Sequence, residues 1–249
     1  MSKVFFHPDI NYQDIKKIEF QYNSEIKNYL VEKASKYITN KLSSFISNKS
    51  KILIICGPGF NGLDGIFLAR NLQNKNYNLR ILMIQDDLHR DYLLQFNLLD
   101  IVIDYTLELN SFDYIIDCIF GYGLNRDLDD TNINLVNTIN QSNASVISID
   151  IPTGLDSSTG KLLPVSVNCD LLITLLTYKK GLFINHGRDT WKTISYSKLI
   201  TKNLESNDYL LTANKDFNDN SNHGVFFKDF EHRRKYSSHK KSNDISCII

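Results

Sequence analysis

Along the chain the hydrophobic pattern changes character twice. From residue 12 to 47, apolar side chains recur at steps of three and four: Ile15, Ile18, Tyr22, Ile26, Tyr29, Leu30, Ala34, Tyr37, Ile38, Leu42, Phe45 and Ile46. Lys, Glu and Asn fill the gaps, so the stretch predicts two amphipathic helices, or one broken near Asn23-Ser24. After that the apolar residues gather into short continuous runs at 51–56, 79–84, 100–105, 113–120, 145–151 and 169–177. Such runs read as strands buried on both faces, the signature of a parallel sheet. Helical patterns at 64–74, 89–99 and 130–142 lie between them, and the resulting βαβα order predicts an α/β fold, doubly wound, with right-handed crossovers. In such sheets ligands sit at the carboxyl ends of strands where the strand order reverses. From about Asn203 the periodicity fails and Ser, Asn, Asp, Lys and His dominate. Residues 1–205 are therefore expected to form the folded domain, and 206–249 a solvated, poorly ordered tail with cationic stretches at 232–235 and 239–241.

Composition narrows the class of partner. Of the 249 residues, 28 are Lys or Arg and 28 are Asp or Glu, and this balance advertises neither nucleic acid nor a membrane surface as a partner. The first residues lack the apolar run of a secretory signal, and the longest aliphatic run, 171–176, is too short to span a bilayer, so a cytoplasmic protein is expected. Cys56, Cys118, Cys169 and Cys247 show no CxxC spacing, and the first three lie in apolar runs, where they read as small buried hydrophobes.

Candidate chemistry gathers at four places. In Gly57-Pro58-Gly59-Phe60-Asn61-Gly62-Leu63-Asp64-Gly65 a strand gives way to a turn and a helix start, where backbone N–H groups and the helix dipole favour an anion. Asp64 occupies the place of an N-cap or first-turn carboxylate. Gly57, Gly59 and Gly62 also fit GxGxxG, with Asp86 and Asp87 placed to hold a ribose, so a nicotinamide-dependent dehydrogenase is one reading of this loop. Asp117 lies inside an aliphatic strand, and burying it costs several kcal/mol unless it is paired, hydrogen-bonded at the strand end or bound to a cation. Gly121 and Gly123 follow in a second flexible loop, with Arg126 able to meet phosphate. Asp150 closes another strand in Ser148-Ile149-Asp150-Ile151-Pro152-Thr153-Gly154-Leu155-Asp156, as a candidate general acid or base; Asp156 reads as a turn residue. Lys179, just after the last run, could pair with phosphate or with these carboxylates, or lie on the surface.

Taken together, these stretches resemble the YjeF N-terminal domain family, the NAD(P)H-hydrate epimerases, whose pattern runs CGPGNNGGDG, DxxFGxGLxR, IDIPSGLD and a TFxxxKxGL-like segment. The resemblance implies a Rossmann-like three-layer sandwich, commonly dimeric, that interconverts the R and S forms of hydrated NADH or NADPH for a partner dehydratase. It implies that Phe60, Asn61, Gly62, Leu63 and Asp64, with Gly121, Tyr122, Gly123, Leu124, Asn125, Arg126 and Asp127, hold the substrate. It also implies that Asn61, Asp117 and Thr153 bind potassium, and that Asp150 contacts the substrate near the reacting ring and does acid/base work with Lys179 in support. Phe60, Leu63 and Ser35 depart from the pattern; Leu63 puts a bulky side chain where close backbone approach is expected, and a YjeF-type binding module is the non-enzymatic alternative. Residues 234–249 resemble the start of a dehydratase domain, which would be fused to this one or separate.

Overall fold

The computed structural model describes residues 24–84, 89–103, 109–176 and 178–197. Helix α1 (Ser24–Ser43) covers the second part of the expected helical stretch and turns Ala34, Ile38 and Leu42 inward. Strand β1 (Lys51–Cys56) leads into helix α2 (Phe60–Gln73), then β2 (Asn78–Met83) and the short helix α3 (Arg90–Gln95). There follow β3 (Val102–Ile103), β4 (Tyr114–Cys118), α4 (Asp130–Gln141), β5 (Ser145–Ile149), β6 (Cys169–Leu175) and β7 (Trp191–Ser197). The seven strands form one sheet in the order β3-β2-β1-β4-β5-β6-β7, and every neighbouring pair is parallel.

Alternation along β1 shows how the sheet divides the core. Ile52, Ile54 and Cys56 join one apolar cluster with residues of α1, α2 and α3, while Leu53 and Ile55 join another with Val136 and Ile139 of α4. Successive side chains of a strand point to opposite faces, so a continuous aliphatic run supplies both layers at once. Each fully buried Leu or Ile contributes about 1.5–3 kcal/mol from removal of its apolar surface from water. Helix α2 is apolar nearly all round because it is sandwiched between α1 and the sheet. Helix α4 is fixed at its start by Asp129, whose side chain accepts a hydrogen bond from the Asn132 N–H at 2.8 Å.

Three expectations need correction. Helix α2 starts at Phe60 with Gly59 at its N-cap, so Asp64 lies past the first turn rather than at the N-cap. The helical pattern at 89–99 yields only Arg90–Gln95, followed by a tight turn at Leu99–Ile101 that takes the first residues of the expected 100–105 strand. The seventh strand was unforeseen: Trp191-Lys-Thr-Ile-Ser-Tyr-Ser has no aliphatic run, and among the described residues it is the edge of the sheet, pairing with β6 alone. Cys56, Cys118 and Cys169 are buried free thiols as expected, their pKa values pushed up by burial. Among the described residues no helix is long and apolar enough to cross a membrane. The N-terminal residues before Ser24, Asp86, Asp87, Cys247 and the 206–249 tail lie outside the described residues.

Candidate active site

The strand order reverses between β1 and β4, and the loops leaving these two strands lie against each other. The Gly57 N–H donates to the Cys118 carbonyl at 3.1 Å, and a Cβ on Gly57 would stand 1.9 Å from the Ile119 carbonyl oxygen. Gly62 is equally constrained, since its Cβ would fall 1.8 Å from the Gly57 carbonyl oxygen. Gly59 and Gly123 face open space. Two glycines thus close the loop on itself, and two leave room beside it.

Asp117 is fully buried at the end of β4 and is answered within the protein. Its carboxylate accepts from the Ser148 hydroxyl at 2.8 Å, the Thr153 hydroxyl at 2.6 Å, the Thr153 N–H at 3.0 Å and the Ile119 N–H at 3.2 Å. Burial pushes its carboxyl pKa up, and these hydrogen bonds pull it only part of the way back. Burial alone therefore does not demand a cation here; four donors already satisfy the group. Ser148 is a residue that the sequence reading quoted without giving it a role. It is the strand-to-strand partner of Asp117, and a hydroxyl near the end of an aliphatic run was the available signal.

Asp150 follows the last residue of β5 with φ of 69°, a left-handed conformation uncommon outside glycine but accessible to Asp. This bend turns its side chain across the neighbouring strand ends. One oxygen, Oδ1, is ion-paired with the Lys179 ammonium; the other, Oδ2, accepts from the Tyr122 N–H at 3.1 Å. Oδ2 would also lie 3.0 Å from a Cβ on Gly121, and the same Cβ would be 3.4 Å from the Asn61 Cβ. The loop after β4, the helix after β1 and the turn after β5 therefore meet at one point. Lys179 is 6% exposed, which removes the surface reading, and its ammonium also donates to the Thr174 hydroxyl at 3.1 Å and the Leu175 carbonyl at 2.6 Å.

Asn61 stands beside this meeting point, 7% exposed, and neither its side-chain oxygen nor its nitrogen has a hydrogen-bond partner. An orphaned buried amide is costly, and a ligand that supplies a donor or a positive charge would relieve it. Phe60, 43% exposed, sits at the outer edge of the same helix start. Gly62 and Leu63 are buried, but Leu63 turns away from the loops and packs with Val31 and Phe67. Asp64 is half-buried. In the second loop Tyr122 and Leu124 are half-buried, while Gly123, Asn125, Arg126 and Asp127 are exposed along its outer rim. Ser35 is buried against α2, where its hydroxyl accepts from the Asn71 amide at 3.1 Å. Asp156 is the turn residue expected, accepting from the Ser158 and Thr159 N–H groups.

Comparison with known proteins relates the chain to a family. The model of the family described as YjeF-related protein N-terminus matches residues 27–181. The NAD(P)H-hydrate epimerase of Limosilactobacillus fermentum is 29% identical over 165 residues, 64% of this chain and 79% of that protein. The NAD(P)H-hydrate epimerase of Oenococcus oeni is 32% identical over 144 residues, 55% of this chain and 69% of that protein. A bifunctional NAD(P)H-hydrate repair enzyme of Dictyoglomus turgidum is 35% identical over 142 residues, and the match spans only 28% of its length. The crystal structure of a yeast protein superposes with a TM-score of 0.62 at 20% identity, covering 76% of this chain and 87% of that one, a likeness of fold. With the family model matched over residues 27–181, more than half of the chain, the chain belongs to the family of YjeF-related proteins, matched at their N-terminal part.

Proposed function

We propose that this chain is an NAD(P)H-hydrate epimerase, interconverting the R and S forms of hydrated NADH or NADPH. The observation that carries the reading is Asp150: a carboxylate placed by a left-handed bend at the reversal point, with Oδ1 held by Lys179 and Oδ2 turned toward Gly121 and Asn61. Epimerisation at the hydroxylated ring carbon breaks and remakes one bond to that carbon and needs no redox partner. If the hydroxyl leaves, it takes a proton and departs as water; water then re-adds to the opposite face and gives a proton back. If the ring opens instead, the bond from that carbon to the ring nitrogen breaks as the hydroxyl proton is removed and the nitrogen gains one; the nitrogen then re-adds to the opposite face of the carbonyl so formed, and both proton transfers reverse. Both routes need a proton carrier beside the reacting atoms, and Oδ2 is that carrier. The N-terminus of α2 and the rim from Gly121 to Asp127 would take the phosphates and riboses, with Arg126 as the cationic partner.

A potassium ion belongs to the same proposal. The orphaned Asn61 oxygen fits a hard cation that takes oxygen ligands, and the Thr153 carbonyl, which accepts one N–H from Val167 at 2.9 Å, retains a second lone pair. Asp117 would supply the charge. The ion would contribute positive potential for substrate phosphates and hold the two loops together. Titration with potassium against choline, followed by thermal shift, should stabilise the wild type and not Asn61→Ala; an identical response from the two would remove Asn61 from the site. A dehydratase acting on the S form, fused or separate, and a homodimeric assembly complete the proposal.

The test is an epimerisation assay on R-enriched hydrate of NADH, coupled to an S-specific dehydratase. Asp150→Asn, whose side chain tolerates the left-handed backbone, should lower kcat by about 10²–10⁴-fold, the usual contribution of a positioned proton carrier. Undiminished kcat in that variant would refute the assignment of Asp150.

A further inference from the structure

Lysine carries three N–H donors and no acceptor, and in Lys179 all three are engaged: by Asp150 Oδ1, by Thr174 Oγ1 at 3.1 Å and by the Leu175 carbonyl at 2.6 Å. An ammonium so placed has no donor left for a substrate; it acts on Asp150. Of its three partners, the carbonyl is fixed by the strand, and Asp150 is the group being held. Thr174, fully buried in β6, is the side chain that sets where the ammonium points. Just after β6, Leu176 has φ of 63°, a conformation that a bulky residue takes only when its surroundings impose it. Those surroundings are explicit: the Leu176 N–H donates to the Ser197 carbonyl at 3.0 Å, and the Tyr196 hydroxyl donates to the Leu176 carbonyl at 2.9 Å. Strand β7 thus holds the bend at the end of β6, and the Lys179 ammonium lies against Thr174 and Leu175 of β6.

From this arrangement we infer that Thr174 is a positioning residue of the epimerisation. Its hydroxyl aims the Lys179 ammonium at Asp150 Oδ1, so that Oδ2 alone is presented to the reacting atoms. The inference rests on Asp150 being the proton carrier. Removing the hydroxyl leaves a buried charged donor unsatisfied, and the ammonium must re-aim or draw in water. Substrate binding, which lies on the α2 and Gly121 side, is untouched.

Two readouts on the full chain test it. In the epimerisation assay, Thr174→Val should lower kcat about ten- to hundredfold, the loss of one hydrogen bond to a charged group, with KM changed less than about twofold. Thr174→Ser, which restores the hydroxyl, should recover most of the loss. Separately, limited acetylation with acetic anhydride, read by peptide mass spectrometry, should label Lys179 slowly in the wild type and Thr174→Ser and faster in Thr174→Val. Unchanged kcat in Thr174→Val, a Thr174→Ser variant as impaired as Thr174→Val, or equal labelling in all three would overturn the inference. An inactive wild type showing the expected labelling pattern would remove the epimerase reading while leaving Thr174 as the group that aims Lys179.

Discussion

Consider Leu63→Gly, which restores the glycine of the family pattern. Read from the motif alone, the substitution should open the phosphate loop and raise activity. The structure predicts the reverse. Leu63 is the fourth residue of α2, 6% exposed, and its side chain fills a small cluster with Val31 of α1 and with Phe67 one turn further on, flanked by Tyr92 and Phe96. Truncating a buried leucine leaves a cavity and costs about 2–5 kcal/mol, and a glycine in a helix interior costs about 1 kcal/mol more. The sum, about 3–6 kcal/mol, is a large part of the 5–15 kcal/mol that ordinarily separates folded from unfolded chains. A protein of this size loses about 2–4 °C in Tm for each kcal/mol, so a fall of about 6–24 °C is expected. Urea unfolding should show a lower midpoint with an unchanged slope, and kcat/KM of the folded fraction should not rise. A neutral or stabilised Leu63→Gly with increased kcat/KM would show that Leu63 obstructs the loop and would refute the packing argument.

Glycines in the two loops should separate by what a Cβ would meet. Gly62→Ala, whose Cβ would strike the Gly57 carbonyl, should fail to fold or lose activity with a marked drop in Tm, whereas Gly123→Ala, facing open space, should keep its Tm and show any defect in KM. Asp170 gives a pH test away from the site. Burial raises its pKa, but hydrogen bonds from Lys192, the Val146 N–H and Ser145 outweigh this and hold it below the ordinary carboxylate value of 3.8. A carboxyl depressed on folding stabilises the protein above its unfolded pKa, and that contribution is lost as pH falls through the folded value. Denaturation midpoints of the wild type and Asp170→Asn should therefore differ at pH 6 and converge below pH 3.8; a constant difference would contradict the shift.

Much of the site was legible in the chain because burial leaves a periodic trace. Continuous aliphatic runs announced six of the seven strands; Asp117 stood out as a carboxylate inside one such run and Asp150 as the residue closing another, near the strand ends where a parallel sheet places its ligands. Local pattern could not say who answers each charge. Asp117 and Ser148 are 31 positions apart and become neighbours only because β4 pairs with β5; Asp150 and Lys179 are 29 apart and meet only because β6 follows β5 and its chain bends back at Leu176. Nor could the loop motif show that Leu63 turns into the α1–α2 interface, since that depends on the helix beginning at Phe60. By itself the sequence determined which aliphatic runs form the buried strands and which loops carry candidate chemistry. Strand order, helix start and backbone bends decided the partners, because hydrogen bonds and ion pairs depend on positions fixed by contacts far apart in the chain.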